Sequence, residues 1–278
     1  MRKICFLSMD DLGDYVTDDH LTTEPLQELG WKVEIISWRT NNVDWEKFEA
    51  VIIRTPWDYH SEPKEFLKVL QEIENVTRLE NPLEIVEWNL SKDYLRDLEG
   101  KGVRIVPTLF SDELIDENLF AIFQEKLETN EIVIKPIVSA TAKDTFRLKE
   151  FLPELADIFR GRKYMVQPFM HNIIDEGEYS LFYFDGRFSH AILKTPKQND
   201  FRVQEDFGGI NKSIKPSNKM LEASEKVLRQ IGQELLYSRV DLVRDESDEF
   251  ALMELELIEP ALYFRMDADS PKRFAKVF

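Results

Sequence analysis

Arg239-Val-Asp-Leu-Val243 and Phe250-Ala-Leu-Met-Glu-Leu-Glu-Leu-Ile258 are two apolar segments that flank an acidic turn near the end of the chain. Their length and composition predict the two strands of a buried hairpin. Because side chains alternate between the faces of a strand, Glu254 and Glu256 should share one face. The same alternation adds to that face Phe250, Leu252 and Ile258. The other face should then carry Ala251, Met253, Leu255 and Leu257.

Two carboxylates about 7 Å apart on an apolar strand repel each other and lose hydration. A divalent cation would relieve both costs, and Mg²⁺ prefers such oxygen ligands. If the turn centres between Ser247 and Asp248, Asp241 lies opposite Glu254 and three carboxylates converge. A solvated acidic edge explains the spacing about equally well, and a one-residue slip would turn Asp241 to the other face.

Upstream of this hairpin, short apolar runs alternate with helical patterns. Strands are predicted at Lys3–Leu7, Lys32–Trp38 and Ala50–Arg54, and helices at Asp18–Leu29, with Gly30 as its stop, and Glu62–Ile73. This order predicts an α/β domain with a parallel sheet, ending near Asn81-Pro82. Further elements follow, as helices at Ser91–Leu98, Asn118–Leu127, Leu148–Phe159 and Asn218–Leu236, and as strands at Val103–Thr108, Glu131–Pro136, Lys163–Phe169, Glu178–Phe184 and Arg187–Lys194. Because the last two strands flank an Asp-Gly turn, the carboxyl-terminal part should be antiparallel α+β.

The chain has 278 residues, with 36 Lys and Arg against 53 Asp and Glu, a net charge of −17. This charge disfavours general binding to nucleic acids or to anionic membranes, and it requires a local basic pocket for any anionic substrate. The single cysteine, Cys5, lies in an apolar run and should be a buried thiol. No signal peptide or membrane span is predicted, so we expect a cytoplasmic protein.

Isolated basic residues supply candidates for that pocket. Lys135 ends an apolar strand before the loop 137–144, whose small residues include Ser139, and Lys92 stands at a helix start. Lys194 ends a strand, and Arg202 precedes a Gly-Gly pair. Taken singly, each of these is as readily a surface or loop residue. The four histidines, His20, His60, His171 and His190, have no predicted role.

With these residues in hand, the chain resembles the ATP-grasp superfamily. It is similar to the ATP-binding domain of prokaryotic glutathione synthetase and to the O-ureidoserine cyclo-ligase of cycloserine biosynthesis. The order and spacing of the matching segments carry this resemblance, which covers most of the chain: Arg54-Thr-Pro-Trp-Asp-Tyr59, Asn81-Pro82, Trp88-Asn-Leu-Ser-Lys-Asp-Tyr-Leu95, Val106-Pro-Thr108, Val133-Ile-Lys-Pro136, Val166-Gln-Pro-Phe169, Glu176-Gly-Glu-Tyr179, Arg202 and Met253-Glu-Leu-Glu256.

The resemblance implies an ATP-grasp fold with an amino-terminal pre-ATP-grasp domain at 1–88, a central lid at 89–165 and a carboxyl-terminal subdomain at 166–278. It implies ATP and one or two Mg²⁺ ions as cofactors. Residues that match nucleotide-binding positions are Lys92, Lys135, Ser139, Gln167, Pro168, Phe169 and Glu178. Residues that match magnesium ligands are Asp241, Glu254 and Glu256, and those that match contacts to the acyl phosphate are Lys194 and Arg202. Glutathione synthetase has an asparagine where this chain has Glu256.

The implied activity is ATP-dependent joining of a small carboxylate to an amine through an acyl phosphate. An intramolecular cyclo-ligase remains an alternative, and so do a nucleotide-binding sensor without catalysis and an acidic binding module with no ATP site. Weaker candidates for substrate contact are Arg54, Trp57, Asp58, Tyr59, Tyr263 and Arg265. The expected partners are small-molecule substrates, with no nucleic acid and no membrane, and a homodimer is left open.

Overall fold

The structure is a computed structural model that describes residues 2–139, 143–233 and 235–278. It contains thirteen strands among these residues: β1 Arg2–Ser8, β2 Trp31–Ser37, β3 Ala50–Thr55, β4 Arg78–Glu80, β5 Leu109–Ser111, β6 Ile132–Pro136, β7 Phe146–Leu148, β8 Tyr164–Pro168, β9 Glu178–Phe184, β10 Arg187–Thr195, β11 Ile210–Ile214, β12 Tyr237–Arg244 and β13 Phe250–Glu256. Its α-helices are α1 Thr23–Glu28, α2 Pro63–Glu74, α3 Leu83–Asn89, α4 Tyr94–Gly100, α5 Glu117–Lys126, α6 Leu155–Ile158, α7 Asn172–Asp175, α8 Asn218–Arg229 and α9 Ser270–Val277. Short 3₁₀ turns lie at Asp19–Thr22, Trp45–Lys47, Tyr59–Ser61, Glu205–Phe207 and Phe264–Met266.

The amino-terminal sheet is parallel, with strand order β2-β1-β3-β4. β3 is buried along its whole length, which explains its apolar run Ala50–Ile53. One face of the sheet packs against α2 through residues such as Phe66 and Leu70. Cys5 belongs to that face and is completely buried. Burial raises the pKa of its thiol to about 12, so the predicted structural thiol is confirmed.

The largest sheet is antiparallel, with strand order β11-β10-β9-β12-β13. One face carries a core beneath α8 and α4, to which Leu242, Leu252 and Leu255 contribute. A smaller antiparallel sheet, with strand order β5-β8-β6-β7, forms its own core around Phe159 and Tyr164. The two antiparallel sheets leave a cleft between them.

Two buried side chains join the amino-terminal sheet to the largest sheet. The amide of Asn81 donates to the carbonyl oxygens of Tyr237 and Leu257, at 3.0 and 2.7 Å, and accepts from the backbone of Leu236 at 3.0 Å. The Tyr237 hydroxyl, at the start of β12, lies 2.6 Å from the carbonyl oxygen of Ile53. Buried backbone groups of both sheets are thus hydrogen-bonded across the junction.

Several predicted elements differ from the structure. The predicted strand Val103–Thr108 makes only an isolated bridge between Ile105 and Leu252. Regular strand pairing begins after this segment, at β5. The predicted helix Leu148–Phe159 is wrong over its first half, and only α6 is helical. Leu148 ends β7, which pairs with β6, and the segment 149–154 is neither helix nor strand. The helix predicted to reach Leu236 ends at Arg229, near Gly232 with its φ of +72°. Elements that the sequence analysis missed are β4, β5, β7, β11, α3, α7 and α9.

The domain borders stay predictions, and the border at 165 and 166 falls inside β8. No helix in the described part of the chain is long and apolar enough to cross a membrane. The cytoplasmic location remains a prediction.

Candidate active site

A cleft of about 260 Å³ lies where the two antiparallel sheets meet the loop that follows β3. β6 and β8 supply one wall with Lys135 and Gln167, and β12 and β13 supply the floor with Asp241 and Glu254. The loop after β3 adds aromatic side chains at the third side. Residues far apart in sequence therefore meet in one concave site rich in charged groups.

The last hairpin reaches its predicted pairing through a bulge. Asp241 lies opposite Glu254, as predicted, whereas the next pair toward the turn is Leu242 with Leu252. Met253 is therefore an extra residue on β13, and it reverses the alternation of faces. Phe250 and Leu252 consequently join the core under α8, together with Leu255 and Leu257. The prediction that Phe250 and Leu252 share a face with Glu254 is wrong.

Lys92 and Glu254 form a shielded ion pair on the cleft floor. The ammonium group of Lys92 lies 2.9 Å from the Glu254 carboxylate and donates to the carbonyl oxygen of Ser139 at 3.1 Å. Burial opposes the charge on Glu254, but Lys92 and Lys135 lower the pKa of this carboxyl to about 2. Glu254 is therefore fully ionised at neutral pH.

Lys135 stands beside this pair without an acidic partner of its own. Among the described residues it makes no ion pair within 4 Å, and its side chain lines the cleft. Burial and the nearby charge of Lys92 lower the pKa of its ammonium group, against the attraction of Glu254. An anion entering the cleft would meet a cation that no carboxylate of the described residues neutralises within 4 Å.

Arg239 is a buried guanidinium that the sequence analysis overlooked. It forks onto Asp241, with nitrogen–oxygen distances of 2.9 to 3.1 Å, and it also pairs with Glu256. Asp241 further accepts a hydrogen bond from Ser180. The signal was available, because Arg239 stands two residues before Asp241 and so shares its face of β12.

Lys194 and Glu178 complete the charged floor. The Lys194 ammonium lies 3.2 Å from Glu178 and 3.6 Å from Asp241, and its side chain is almost fully buried. Although burial and Arg239 oppose the charge on Lys194, Asp241 and Glu178 raise the pKa of its ammonium group above the usual value. Burial raises the pKa of Glu178, which Lys194 partly counteracts.

The three predicted metal ligands do not form a ready-made cluster. No three His, Cys, Asp or Glu side chains within the described ranges could together hold a metal ion. Arg239 forms ion pairs with Asp241 and Glu256, and Lys92 forms an ion pair with Glu254. Burial nevertheless raises the pKa of Glu256 to about 7 despite Arg239, with the charges of Asp241 and Glu254 adding to the rise. The all-oxygen donor set of these carboxylates fits Mg²⁺ that is shared with phosphate oxygens.

Three of the residues that match nucleotide-binding positions line the opposite side of the cleft. Gln167, Pro168 and Phe169 all contribute to it, and the Gln167 amide donates to the Thr108 hydroxyl at 2.9 Å. The backbone N–H of Phe169 donates to the carbonyl oxygen of Glu131 at 2.9 Å and is therefore already engaged. Ser139 also lines the cleft, whereas Ala140 and Thr141 of the same loop lie outside the described residues.

Arg202 reaches the cleft from the segment between β10 and β11. Its guanidinium forms two hydrogen bonds with Asp200, at 3.0 and 2.8 Å, and lies 3.7 Å from the centre of the Phe207 ring. Asp200 raises the pKa of this guanidinium further, although partial burial opposes the rise. Arg202 is thus held in place at the cleft while part of its charge is already neutralised.

The substrate-facing candidates divide into two groups. Trp57, Tyr59 and Tyr263 line the cleft. The other three are engaged elsewhere and do not line it: Arg54 binds Asp19 at 2.9 Å, Asp58 accepts from Trp38 at 2.7 Å, and Arg265 binds Asp18 at 2.7 Å. The pattern of a strand end followed by polar residues did not distinguish side chains that enter the cleft from those that brace its loop.

Glu259 is a second cleft residue that the sequence analysis overlooked. It lies three residues beyond Glu256, where β13 has ended, and its side chain is half-buried in the cleft wall. Burial raises the pKa of its carboxyl to about 8, with a further contribution from the charge of Glu256. Its spacing breaks the strand alternation, so the pattern that singled out Glu254 and Glu256 could not include it.

Known protein families match both parts of the chain. Residues 4–81 match the amino-terminal domain of D-cycloserine synthetase DcsG. Residues 102–261 match the ATP-grasp domain of prokaryotic glutathione synthetase. The cycloserine biosynthesis protein DcsG of Streptomyces lavendulae is 33% identical over 273 residues, which cover 91% of this chain and 90% of that protein.

Solved structures agree with these matches. The crystal structure of D-cycloserine synthetase DcsG has a TM-score of 0.84 at 28% identity and covers 99% of this chain and 98% of that one. A structure of the ATP-grasp ligase PsnB, complexed with a precursor variant, Mg and ADP, has a TM-score of 0.68 at 13% identity and covers 98% and 96% of the two chains, which shows the fold alone. The predicted ATP-grasp fold is confirmed, and the chain belongs to the DcsG family of ATP-grasp ligases.

Proposed function

We propose that this ligase uses Mg·ATP to activate the carboxyl group of a small amino acid as an acyl phosphate, which a nitrogen of the same molecule then attacks to close a ring. The observation that carries this proposal is the arrangement of Lys135 and Lys92 around Glu254. It offers one cation for phosphate oxygens, beside a carboxylate held ionised by its partner lysine.

In this proposal the nucleotide lies between β6–β8 and the hairpin β12–β13. Lys92 and Lys135 bind its phosphates, the backbone around Gln167–Phe169 borders the adenine, and Glu178 contacts the ribose. Ser139 holds Lys92 at the phosphate end, because its carbonyl oxygen accepts a hydrogen bond from the Lys92 ammonium group at 3.1 Å.

Glu254 and Glu256 would hold Mg²⁺ together with phosphate oxygens, and Asp241 would orient the arrangement through Arg239. When bound, Mg²⁺ supplies positive charge that stabilises the phosphoryl group during its transfer. Lys194 and Arg202 add positive charge where the phosphorylated carboxyl forms. The protein thereby contributes positioning and electrostatic stabilisation without a covalent nucleophile.

The proposed reaction has two steps, phosphorylation of the carboxyl group and ring closure. A carboxylate oxygen attacks the γ-phosphorus, and the bond from that phosphorus to the β–γ bridging oxygen breaks, which releases ADP. The substrate nitrogen then attacks the acyl carbon, phosphate leaves, and the nitrogen loses a proton. One carbon–nitrogen bond is formed for each ATP that is converted to ADP and phosphate.

Ring closure is favoured over joining of two substrates by the relationship to DcsG, which extends over 91% of the chain and includes the amino-terminal domain. Joining of a carboxylate to a separate amine remains a second candidate, because the domain at 102–261 matches that of glutathione synthetase. Both candidates share activation of a carboxyl group and differ only in where the nitrogen comes from.

The test is ADP release, measured with Mg·ATP and O-ureidoserine alone, and separately with pairs of amino acids. Release with O-ureidoserine alone and a cyclic product by mass spectrometry support ring closure. Release only with two substrates supports the second candidate. Binding of Mg·ATP by calorimetry without ADP release in any mixture would favour a non-catalytic sensor, and no binding would remove the ligase proposal.

A further inference from the structure

Glu259 differs from every other carboxylate on the cleft floor because it has no cationic partner. Glu254 pairs with Lys92, Glu178 with Lys194, and Asp241 and Glu256 with Arg239. No lysine, arginine or histidine nitrogen in the described ranges forms an ion pair with Glu259. A half-buried carboxylate that faces a ligand cleft and has no ion-pair partner is suited to bind a cationic ligand.

The backbone of Glu259 is fixed from both sides by the amino-terminal unit. The indole N–H of Trp57 donates to the Glu259 carbonyl oxygen at 3.0 Å. The guanidinium of Arg54 donates to the carbonyl oxygen of the next residue, Pro260, at 3.1 Å, and is itself held by Asp19. The carboxylate is therefore presented by an anchored peptide, which gives a recognition group a defined position.

Aromatic side chains line the cleft together with Glu259. The hydroxyl of Tyr59 lies against Glu259 and stabilises its charged form. The Tyr59 ring is in turn stacked on Phe66, with 4.8 Å between ring centres. Trp57 lines the same part of the cleft, and Tyr15 approaches it edge-on at 5.3 Å. A carboxylate flanked by aromatic rings is an environment that binds ammonium groups through charge and cation–π attraction.

This subsite adjoins the floor on which phosphoryl transfer is proposed. Tyr59 and Glu259 line the same cleft as Glu254 and Glu256. Burial and the charge of Glu259 raise the pKa of Tyr59, and the charges of Glu256 and Glu254 add to the rise. A small amino acid could therefore direct its carboxyl group toward the phosphates and its amino group toward the loop that follows β3.

We propose that Glu259, together with Tyr59 and Trp57, binds the α-ammonium group of the amino-acid substrate and so selects amino acids over carboxylic acids that lack an amino group. This inference rests on the proposed function and adds its substrate class and the residue that recognises it. The raised pKa of Glu259 agrees with it, since burial without a cation disfavours the charged carboxylate and a bound ammonium group would restore it.

The experiment compares two probes that differ only in the amino group, O-ureidoserine and 3-(ureidooxy)propanoic acid. Binding of each is measured by calorimetry with Mg and a non-hydrolysable ATP analogue, and kcat/KM is measured from ADP release. The wild-type protein should favour O-ureidoserine by at least about 30-fold, the range expected for a buried charge left without its partner. Glu259→Gln should lose most of this preference, chiefly through KM and binding, while affinity for the nucleotide is retained.

Two further variants keep the result interpretable. Glu259→Asp retains the charge and should recover part of the preference, which a purely structural role would not predict. Glu222→Gln makes the same change at an exposed position of α8 and should behave like the wild type. Circular dichroism checks that each variant is folded.

Several outcomes would overturn the inference. These are equal binding of both probes by the wild type, binding of neither, or an unchanged preference in Glu259→Gln. Failure of the proposed function is distinct, because it would appear as absence of Mg·ATP binding or of ADP release with every substrate tested. Selective binding of O-ureidoserine that depends on Glu259 would support the subsite even in a protein that showed no turnover.

Discussion

Asp241 lies opposite Glu254 because β13 contains one more residue than β12 between this pair and the turn. In a regular strand Leu252 and Glu254 would lie on the same face, whereas the bulge directs them to opposite faces. On the turn side, Leu252 is directed into the core, and beyond the bulge Glu254 is directed into the cleft. The strand thereby packs as a core element and presents carboxylates to a ligand.

Glu254→Gln should reduce ADP release by at least about 100-fold, the size of loss seen when one preorganised electrostatic group is removed. The physical reason is that Glu254 is ionised, with a pKa of about 2, and its replacement removes negative charge beside Lys92. Activity is measured by coupled ADP release, and folding by circular dichroism.

The matched control is Glu249→Gln in the turn of the same hairpin. It removes the exposed ion pair between Glu249 and Lys219 of α8. That pair is solvated, so the control should retain activity and stability. Wild-type activity in Glu254→Gln would contradict the assignment of Glu254 to the metal and phosphate site.

Lys135→Ala should abolish Mg-dependent ATP binding and at the same time stabilise the protein. Burial and the neighbouring charge of Lys92 disfavour the ammonium group in the absence of an anion. Removing it therefore relieves a cost that only the nucleotide offsets. We expect the thermal midpoint without nucleotide to rise by about 2–4 °C, as measured by differential scanning fluorimetry, and the stabilisation by Mg·ATP to disappear. A lower midpoint without nucleotide would show that Lys135 has a structural role.

Arg239→Met should destabilise the fold by about 3–5 kcal/mol, because it leaves a buried carboxylate without its partner. Asp241 is only 1% exposed and receives the forked guanidinium of Arg239. Chemical denaturation measures the change. Arg78→Met serves as the control, since Arg78 pairs with Glu80 while 54% exposed, and should cost less than about 1 kcal/mol. Adding Asp241→Asn to Arg239→Met should recover part of the loss, and no recovery would argue against the buried pair as its cause.

His190 should make the stability of the fold depend on pH between about 4 and 6.5. The ring is stacked on Phe182 at 4.3 Å and bonded to the Leu262 carbonyl oxygen at 3.0 Å. Burial lowers the pKa of His190 from 6.5 to about 4. Between pH 6.5 and pH 4, His190 therefore binds a proton in the unfolded chain but not in the folded chain. The free energy of unfolding should fall as the pH drops across this range, by up to about 3 kcal/mol.

His190→Gln keeps a donor for the Leu262 carbonyl but cannot titrate. The difference in unfolding free energy between the wild type and this variant should therefore change with pH across that window and be constant above pH 7. Denaturation with urea at a series of pH values measures the difference. A difference that stays constant down to pH 4 would show that His190 remains protonatable in the fold.

The elements and site residues that could be predicted from the sequence are those with a local pattern. β1, β3 and the two hairpins follow from apolar runs and turn residues, and Lys92, Lys135 and Glu254 follow from charges set in apolar surroundings. The edge strand β11 was missed because its exposed sequence has no such run. The predicted helix 148–159 forms only as α6, because Pro153 lies in its middle and a proline disfavours both the helix interior and a helical conformation of the residue before it.

The cleft also contains features that no local pattern specifies. The bulge at Met253 is visible only as a change in pairing, although it decides which face Leu252 and Glu254 occupy. Arg54 and Asp58 resemble ligand-binding residues by their position after a strand, yet their partners are Asp19 and Trp38. Glu259 reaches the cleft because Trp57 and Arg54 hold the chain that carries it.

Because the single cysteine is buried, its reaction with a thiol reagent can report local opening of the amino-terminal sheet. Cys5 has no exposed surface, and its high thiol pKa leaves almost no reactive thiolate at neutral pH. A thiol reagent can therefore modify the native chain only during moments when the amino-terminal sheet separates from α2. Because each molecule is modified once, the labelling rate counts these openings directly, and its response to Mg·ATP would show whether nucleotide bound in the cleft restrains a sheet that lies beyond it.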